Sequence, residues 1–538
     1  MATTISGNAR RLLEVDGDTL TTAVLTAAAR VPGSVRPVLA AHARKNCTAS
    51  AELRESIVAG AEPVYGVTTG FGDSASRQVS PERAAALQRN LVRYHLNGTG
   101  PAAAPDVVRA TMLVRANCLA KGVSGVRPVI VDNLLRLLDA DVLPIIPERG
   151  SVGASGDLVP LCYLATVLQG EGQVRHAGTE RSAAEAHRQL GLAPVTLEAK
   201  EGLALINGTS FMSGFAVLAA ADAAELAFAA EVCSALAVEV LRGNRGHYAP
   251  FLHDQKAHPG QVASAGAMAT YLADSSLALD HAEIVDRYDA LSDRKYQQLP
   301  RRVQDSYSVR CAPHVIGVLR DTLAWVDPWL TVEINSANDN PLFDVEAGVV
   351  RSGGNFYGGH VGQAMDSLKV AVASVADLLD RQLELMVDEK FNNGLTPNLI
   401  SFSAAAEEPG LHHGYKGMQI ACSALTAEAL KQAGPATVFS RSTEAHNQDK
   451  VSMATIAARD ARTVGELALE VLAIHLHAAC QGLDLRETKL RSTVARRVYE
   501  AVREFVAPLD RDRQMDGEIQ DLAEFIRSGR LREVVTGG

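Results

Sequence analysis

The stretch TSFMSGFAVLAAADAAELAFAAEVCSALAVEVLR, residues 209–242, decides how the rest of the chain is organised. It contains no proline and is dominated by Ala, Leu, Val and Phe, so it predicts a single helix about 50 Å long. Four acidic residues interrupt it too often for a membrane span: Asp222, Glu225, Glu231 and Glu239. A helix that is apolar on most faces must be covered, so we expect it inside a helical bundle or between subunits.

Two more long helices are predicted, at residues 361–390 and 451–480, the first from apolar side chains recurring every three or four positions. Shorter helices are predicted at 81–96, 105–120, 128–140, 158–168 and 492–506, with a strand pair at 12–20 and hairpins at 174–179 and 340–350. The fold is therefore expected to be mainly α, an elongated bundle of long helices with a smaller mixed N-terminal domain. We place the domains at 1–205, 206–482 and 483–538, the last a C-terminal helical tail.

Composition limits the partners. The net charge of −10 argues against a nucleic-acid partner, and we expect no membrane association. Residues 1–11 lack an apolar core, so we expect no signal peptide and a cytoplasmic location. The seven cysteines form no CxxC pair, which is typical of free thiols.

The glycine-rich segment 70–75 is not set in a βαβ unit, and the paired histidines lack metal-ligand spacing, so we expect neither nucleotide nor metal.

Before the long helix lies a second unusual segment, PERGSVGASGDLVP, residues 147–160. Prolines bracket it and three glycines interrupt it. Glycine adopts backbone conformations closed to other residues, while proline fixes φ, so the segment is predicted to be a rigid, sharply bent loop. A loop of this kind is better suited to carry catalytic residues than merely to connect helices.

This segment and five others, in the same order, resemble the aromatic amino acid ammonia-lyase and aminomutase family, which includes histidine, phenylalanine and tyrosine ammonia-lyases. The resemblance extends from about Leu13 to Arg511. The matching segments are YGVTTGFG (65–72), GSVGASGDL (150–158), EGLALINGTS (201–210), QDSYSVRC (304–311), NSANDNP (335–341) and NQDKVS (447–452).

The resemblance implies a cofactor made from the chain itself. In this family the Gly156 nitrogen would attack the Ala154 carbonyl, and Ser155 would lose its hydroxyl. The product is 4-methylideneimidazole-5-one (MIO), an electrophilic ring. A side chain at residue 156 would obstruct the folded-back backbone that the attack requires. Asp157 is similar to the family's acid that assists dehydration, or it caps the helix that starts at Leu158.

The resemblance also assigns roles to other positions. Tyr65 would be the base that removes the β-hydrogen, which requires its pKa to be lowered by nearby positive potential. Asn207 would donate to a developing oxyanion, and Arg310 would hold the substrate carboxylate. The predicted catalytic residues are Tyr65, Ala154, Ser155, Gly156, Asn207 and Tyr307. The predicted substrate-binding residues are Gly66, Tyr94, His95, Arg310, Asn340, Phe356 and Gln448.

Substrate choice rests on fewer positions. His95 stands where tyrosine-using relatives tend to place a histidine, while uncharged Gln448 stands where histidine lyases have a glutamate. Tyr94 departs from the usual pairs and leaves phenylalanine or a ring-substituted analogue open. We expect ammonia elimination from L-tyrosine or L-phenylalanine, giving trans-coumarate or cinnamate. A 2,3-aminomutase and a histidine ammonia-lyase are the alternatives. The family precedent is a homotetramer whose active sites draw on three subunits.

Overall fold

The computed structural model describes residues 10–286, 288–299, 302–486 and 491–537. It is mainly helical, with 58% helix and 8% strand, which confirms the predicted class. The chain divides into two compact units, each assembled from three separated segments. The first comprises residues up to Ala221, Val326–Asp366 and Pro435–Arg459; the second comprises Asp222–Trp325, Ser367–Gly434 and residues from Asp460 onward. The division into three successive domains stays a prediction.

Four long helices contribute residues to both units. Three were predicted, and they span Ser210–Leu241, Gly359–Val387 and Ala454–Asp484. The fourth, Ala312–Ile334, contains Pro328 in its interior, a residue that ordinarily marks a helix boundary. Within the described residues, Ala454–Asp484 alone is long and apolar enough to cross a membrane, yet 78% of its most apolar window is buried, as in the core helix of a folded protein.

The first unit has eight further helices. Those that begin at Pro81, Pro105 and Pro128 carry proline at the first helical position, where its missing N–H costs nothing. The eight are Thr22–Arg30, Ala41–Ala59, Pro81–Tyr94, Pro105–Ala120, Pro128–Asp139, Leu158–Leu168, Ala183–Leu190 and Glu201–Ile206, with 3₁₀ turns at Gly72–Ser74 and Thr437–Phe439.

All strands in the described residues belong to this unit. They are Arg11–Val15 paired in parallel with Val35–Leu39, Thr99–Ala102 antiparallel to Pro147–Arg149, Leu143–Pro144 with Gln173–His176 and Thr179–Ser182, and Leu342–Asp344 with Val349–Arg351. Both predicted hairpins are confirmed. The predicted strand pair at 12–20 is wrong: the strand Arg11–Val15 is followed by a turn, in which the Asp16 carboxylate accepts from the Asp18 and Thr19 amides, but its partner is Val35–Leu39, beyond the first helix.

The second unit is built from helices and turns. Its shorter helices are Pro250–Asp254, Pro259–Tyr271, His281–Val285, Tyr307–Arg310, Phe402–Glu407, Lys416–Gln432, Thr493–Arg503, Asp516–Arg527 and Arg530–Thr536, with 3₁₀ turns at Arg245–Tyr248 and Pro397–Leu399. Hydrogen bonds join the start of Lys416–Gln432 and the helix Asp516–Arg527 to the long helix Ala454–Asp484: the Tyr415 hydroxyl contacts His477 Nδ1 at 2.6 Å, and His477 Nε2 contacts Glu518 at 2.7 Å.

Two buried helices of the first unit support the loop at 147–160. Pro105–Ala120 is buried from Val107 to Ala120 except at the partly exposed Arg109, and Glu201–Ile206 is buried throughout. The short helix ends at Asn207, just ahead of the long helix at Ser210–Leu241. Rigid, close-packed elements therefore fix the position of Asn207.

Candidate active site

The triad Ala154–Gly156 lies between the strand Pro147–Arg149 and the helix Leu158–Leu168. Gly156 has φ +69°, a conformation that favours glycine. A Cβ atom at this position would lie 2.1 Å from the Gly208 carbonyl oxygen. Both the backbone angle and the close approach therefore require glycine at residue 156.

The Ser155 carbonyl oxygen accepts two hydrogen bonds, from Asn207 Nδ2 at 2.8 Å and from the Gly208 amide at 3.3 Å. The Asn207 amide group has a fixed orientation, because its Oδ1 accepts from the Asn340 backbone N–H at 2.8 Å. Two fixed donors on one carbonyl oxygen are suited to stabilise negative charge that develops there. The side chain of Asn207 is committed to Ser155 and Asn340 rather than to capping the following helix.

Asp157 is fully buried beside the triad. Its carboxylate accepts from Ser151 Oγ at 3.0 Å, from Thr455 Oγ1 at 2.5 Å and from the Met212 amide at 2.8 Å. Burial raises its pKa to about 6, against the lowering effect of these hydrogen bonds. The side chain does not cap its own helix at Leu158. It sits instead at the N-terminal end of the helix Ser210–Leu241, where a negative charge is favoured.

Gln448 contacts the hydroxyl of the triad. Its Nε2 donates to Ser155 Oγ at 3.1 Å, and its Oε1 accepts from Thr443 Oγ1 at 2.8 Å. The backbones of Thr443 and Gln448 also pair with each other, which closes a tight turn between them. Both ends of the Gln448 amide are therefore used.

A cavity of about 520 Å³ opens over Ser155, within the range of about 300–1,000 Å³ usual for small-molecule sites. It is lined entirely by the first unit. Nine predicted site residues line it: Tyr65, Tyr94, His95, Ala154, Ser155, Asn207, Asn340, Phe356 and Gln448. Gly156 and Gly66 do not. Gly66 is buried behind the lining, with its carbonyl accepting from Gln88 Nε2 at 2.9 Å.

Tyr65 lies in this cavity with its hydroxyl oxygen accepting from the Gly72 amide at 3.1 Å. Burial raises the pKa of Tyr65; the Gly72 N–H lowers it and Glu444 raises it further. We expected a positive potential to lower the pKa of Tyr65. Within this unit that expectation is wrong, because the charge acting on the phenol is the negative one of Glu444. A positive charge that lowers the pKa of Tyr65 would have to come from outside this unit.

His95 has a defined tautomer. Its Nδ1 lies 2.9 Å from the Leu91 carbonyl oxygen, which can only accept, so Nδ1 carries the hydrogen. Burial lowers the pKa of His95, which favours the neutral ring. The neutral ring leaves Nε2 as an acceptor. The adjacent ring of Tyr94 lies 4.3 Å away between centroids.

Glu444 is a cavity residue that the sequence patterns did not identify. It sits in the same turn as Gln448, with its Oε2 accepting from Asn447 Nδ2 at 3.0 Å. Its charge raises the pKa values of both Tyr65 and His95. Glu444 could have been identified from the sequence by its position four residues before Gln448, within one short turn.

Tyr307 and Arg310 are not among the cavity-lining residues; they belong to the second unit. The Tyr307 side chain is 72% exposed, and the Arg310 guanidinium stacks on its ring at 4.6 Å from the centroid. Arg310 Nε is buried without a hydrogen-bond partner in the described part of the chain. The two residues thus contact each other and present an uncommitted cation.

A second cavity of the first unit, about 580 Å³, also borders Asn340 but includes no triad residue. Within the described ranges, no group of three His, Cys, Asp or Glu side chains is arranged to hold a metal ion. The cavity over Ser155 combines a serine hydroxyl, paired donors on a carbonyl oxygen and a phenol.

The fold is that of an amino acid lyase. Residues 20–504 match the aromatic amino acid lyase family, and the chain belongs to that family. It is 39% identical to a histidine ammonia-lyase of Caldanaerobacter subterraneus and 40% identical to a tyrosine ammonia-lyase of Cupriavidus metallidurans. The first alignment covers 97% of both chains; the second covers 97% of this chain and 98% of that relative. A crystal structure of tyrosine aminomutase from Streptomyces globisporus superposes with a TM-score of 0.92 at 36% identity, covering 98% of each chain.

Proposed function

We propose that this protein eliminates ammonia from L-tyrosine or L-phenylalanine, using an MIO group formed from Ala154, Ser155 and Gly156, to give trans-coumarate or cinnamate. The observation that carries the proposal is the triad itself. Its turn admits no side chain at Gly156, its Ser155 carbonyl oxygen has two donors, and it borders a cavity that contains a tyrosine.

The residues around the triad fit an MIO group. Asn207 and Gly208 would hold its carbonyl oxygen, which derives from Ser155, and Gln448 would lie beside the former hydroxyl position. The group would supply an electrophilic carbon to the substrate amine. Asp157, with a pKa raised to about 6, is suited to exchange a proton near neutral pH during formation of the ring.

Tyr65 is the proposed base for the β-hydrogen of the substrate. Its phenol oxygen is oriented by the Gly72 N–H, which also stabilises the phenolate. Because burial and Glu444 raise its pKa, the base needs a compensating positive charge. Arg310, whose partners in the described chain include no carboxylate within 4.0 Å, is the proposed source of that charge.

Tyr307 and Arg310 would then reach the cavity from neighbouring copies of the chain in a homotetramer. Tyr307 is 72% exposed in one chain, as expected of a residue covered only on assembly. Arg310 would hold the substrate carboxylate and Asn340 would assist it, while Glu444 would receive the substrate ammonium group. Phe356 and Tyr94 would pack on the aromatic ring.

The tautomer of His95 supports tyrosine as substrate. Its Nε2 can accept a hydrogen bond from a phenol hydroxyl, and a site built to satisfy a buried hydroxyl discriminates against the analogue that lacks it. The names of the sequence relatives favour histidine. Against that, the uncharged Gln448 amide has both ends occupied, and the carboxylate of Glu444 is assigned to the substrate ammonium group rather than to an imidazole ring.

A 2,3-aminomutase is the second candidate, favoured by the likeness to tyrosine aminomutase at a TM-score of 0.92. Such an enzyme would retain ammonia and return it to the β-carbon, using the same residues. The test is incubation of the purified protein with L-tyrosine, L-phenylalanine and L-histidine separately. Arylacrylate is followed by absorbance and β-amino acid by chromatography.

We expect arylacrylate from tyrosine or phenylalanine, and an intact mass two waters below that of the sequence. β-Amino acid as the dominant product would identify the aminomutase instead. Product from histidine alone would refute the substrate assignment, while an intact mass without any water deficit would refute the MIO proposal itself.

A further inference from the structure

A buried arginine lies directly behind the donors to Ser155. Arg115, on the helix Pro105–Ala120, is 0% exposed. Its Nη1 donates to the Asn207 carbonyl oxygen at 2.9 Å, and its Nη2 donates to Asn338 Oδ1 at 3.0 Å. The guanidinium therefore holds the backbone of the residue whose side chain holds the Ser155 oxygen.

Within the described ranges, Arg115 has no ion-pair partner. Among the residues that the structure describes, no carboxylate oxygen is within 4.0 Å of its guanidinium. The neighbouring acids are engaged elsewhere: Asp339 accepts from Lys200 and Ser124, and Glu333 accepts from Thr209. A buried charge without a paired opposite charge costs stability, so its presence at this position calls for a functional reason.

The absence of a side chain at Gly208 leaves room for the Arg115 guanidinium. A Cβ atom at Gly208 would lie 2.1 Å from Arg115 Nη1 and 2.5 Å from Asn338 Oδ1. Glycine at residue 208 thus serves two contacts at once. Its N–H donates to the Ser155 oxygen, and its missing side chain lets Arg115 reach Asn207.

Resting on the proposed function, we propose that Arg115 is a positioning residue that fixes Asn207 and places an unpaired positive charge behind the Ser155 carbonyl oxygen. Two waters leave when the ring forms. In the first step the Gly156 nitrogen bonds to the Ala154 carbonyl carbon, and the Ala154 oxygen leaves with one proton from the Gly156 nitrogen and one from the Ser155 nitrogen.

The second water comes from Ser155 alone. The Ser155 Cα loses its proton, negative charge collects on the Ser155 carbonyl oxygen, and the Oγ hydroxide then leaves from Cβ. Asn207 and Gly208 donate to the oxygen that carries this charge. Arg115 acts through them, so its loss should affect the second water more than the first.

The experiment compares Arg115→Lys with Arg115→Gln by intact mass spectrometry of the purified full chain. Lysine and glutamine both keep hydrogen-bond donors at this position, but lysine alone keeps the charge. We expect Arg115→Gln to accumulate a species one water lighter than the sequence, with the Ser155 hydroxyl retained. Turnover should fall by up to about 100-fold, because Arg115 acts through the donors, and removal of a donor itself costs about 10²–10³. Arg115→Lys should recover a larger share of the two-water deficit.

Arg54 supplies the matched control. It is 1% exposed in the same unit and donates to the Ala199 carbonyl, but it is paired with Glu198 at 2.6 Å. Arg54→Gln should lower thermal stability while keeping the full two-water deficit. The same incomplete dehydration in Arg54→Gln would mean that loss of any buried arginine disturbs ring formation, and would overturn the proposal.

A full two-water deficit in Arg115→Gln, or no advantage of lysine over glutamine, would also overturn it. If Arg115→Gln gives no folded protein, Asn338→Ser removes one acceptor of the guanidinium and should give a smaller accumulation of the same one-water species; full dehydration there would count against the proposal. The wild-type protein separates the two proposals. A wild-type mass without any deficit refutes the MIO group and the role of Arg115 with it, whereas a full deficit in both the wild type and Arg115→Gln overturns the role of Arg115 alone.

Discussion

The triad region and the Tyr307–Arg310 region differ in how completely one chain finishes them. The Ser155 carbonyl oxygen has two donors, and buried Asp157 accepts three hydrogen bonds, all from the same unit. Tyr307 is 72% exposed, and Arg310 Nε lacks a partner within the described residues. On the proposed function, the electrophile would be formed within one chain, whereas the substrate carboxylate would be bound by a residue of a neighbouring chain.

The largest effect is expected at the triad. Ser155→Ala removes the hydroxyl that must leave, so turnover should fall to background and the intact mass should never show the two-water deficit. Ser80→Ala, which changes an exposed serine at the start of a helix, should keep native turnover and the two-water deficit. Turnover by Ser155→Ala above that of a heat-inactivated sample would contradict the role of the triad.

Tyr65→Phe should cost about 10²- to 10⁴-fold in kcat, the range for loss of a general base. Its intact mass should stay two waters below the sequence, because the phenol acts on the substrate and not on the triad. Tyr163→Phe is a close control, since its hydroxyl also accepts a backbone N–H, from Gly98 at 3.1 Å. A loss of less than tenfold in Tyr65→Phe would remove it from the role of base.

Substitutions in the exposed Tyr307–Arg310 region should reduce activity less than those at Ser155 and Tyr65. Arg310→Lys loses a bidentate pair and should lower kcat/KM about 10- to 100-fold, mainly through KM, with the two-water deficit intact. Arg302→Lys changes another arginine stacked on an aromatic ring, that of Phe391 at 4.9 Å, and should have little effect.

Mixed assemblies sharpen this prediction. If Tyr65 and Arg310 of one active site come from different subunits, inactive Tyr65→Phe and weakened Arg310→Lys chains, refolded together, should form some sites with both native residues. Activity above the average of the two separate preparations is expected. Strict averaging would mean that both residues serve the site of their own chain.

The sequence predicted most helices, because their apolar spacing and N-terminal prolines are local features. It missed Ala312–Ile334, whose interior Pro328 resembles a helix boundary, and it misassigned the strand at residues 11–15, whose partner lies beyond a helix. Motif order indicated the triad, Asn207 and Gln448. It could not reveal Arg115, because a buried arginine beside Asn207 becomes visible only when distant segments pack together.

A smaller effect is expected for substrate choice. His95→Phe removes the Nε2 acceptor, so the ratio of kcat/KM for tyrosine over phenylalanine should fall by about tenfold, the value of one hydrogen bond to a buried hydroxyl. The ratio is measured on the same preparation, which cancels differences in folded fraction. His176→Phe, on a surface hairpin, should leave the ratio unchanged. A His95→Phe ratio equal to the native one would end the assignment of His95 to the phenol.

The smallest effect concerns pH. The Glu444 carboxylate raises the pKa of Tyr65, because negative charge disfavours the phenolate. Glu444→Gln removes that charge but keeps an oxygen that can accept from Asn447. The pKa of Tyr65 should therefore fall, and the rising limb of kcat/KM against pH should move to lower pH. Glu346→Gln, an exposed carboxylate of the same unit, should leave the limb in place. A limb that moves to higher pH in Glu444→Gln would show that Tyr65 is not the group whose ionisation sets the rate.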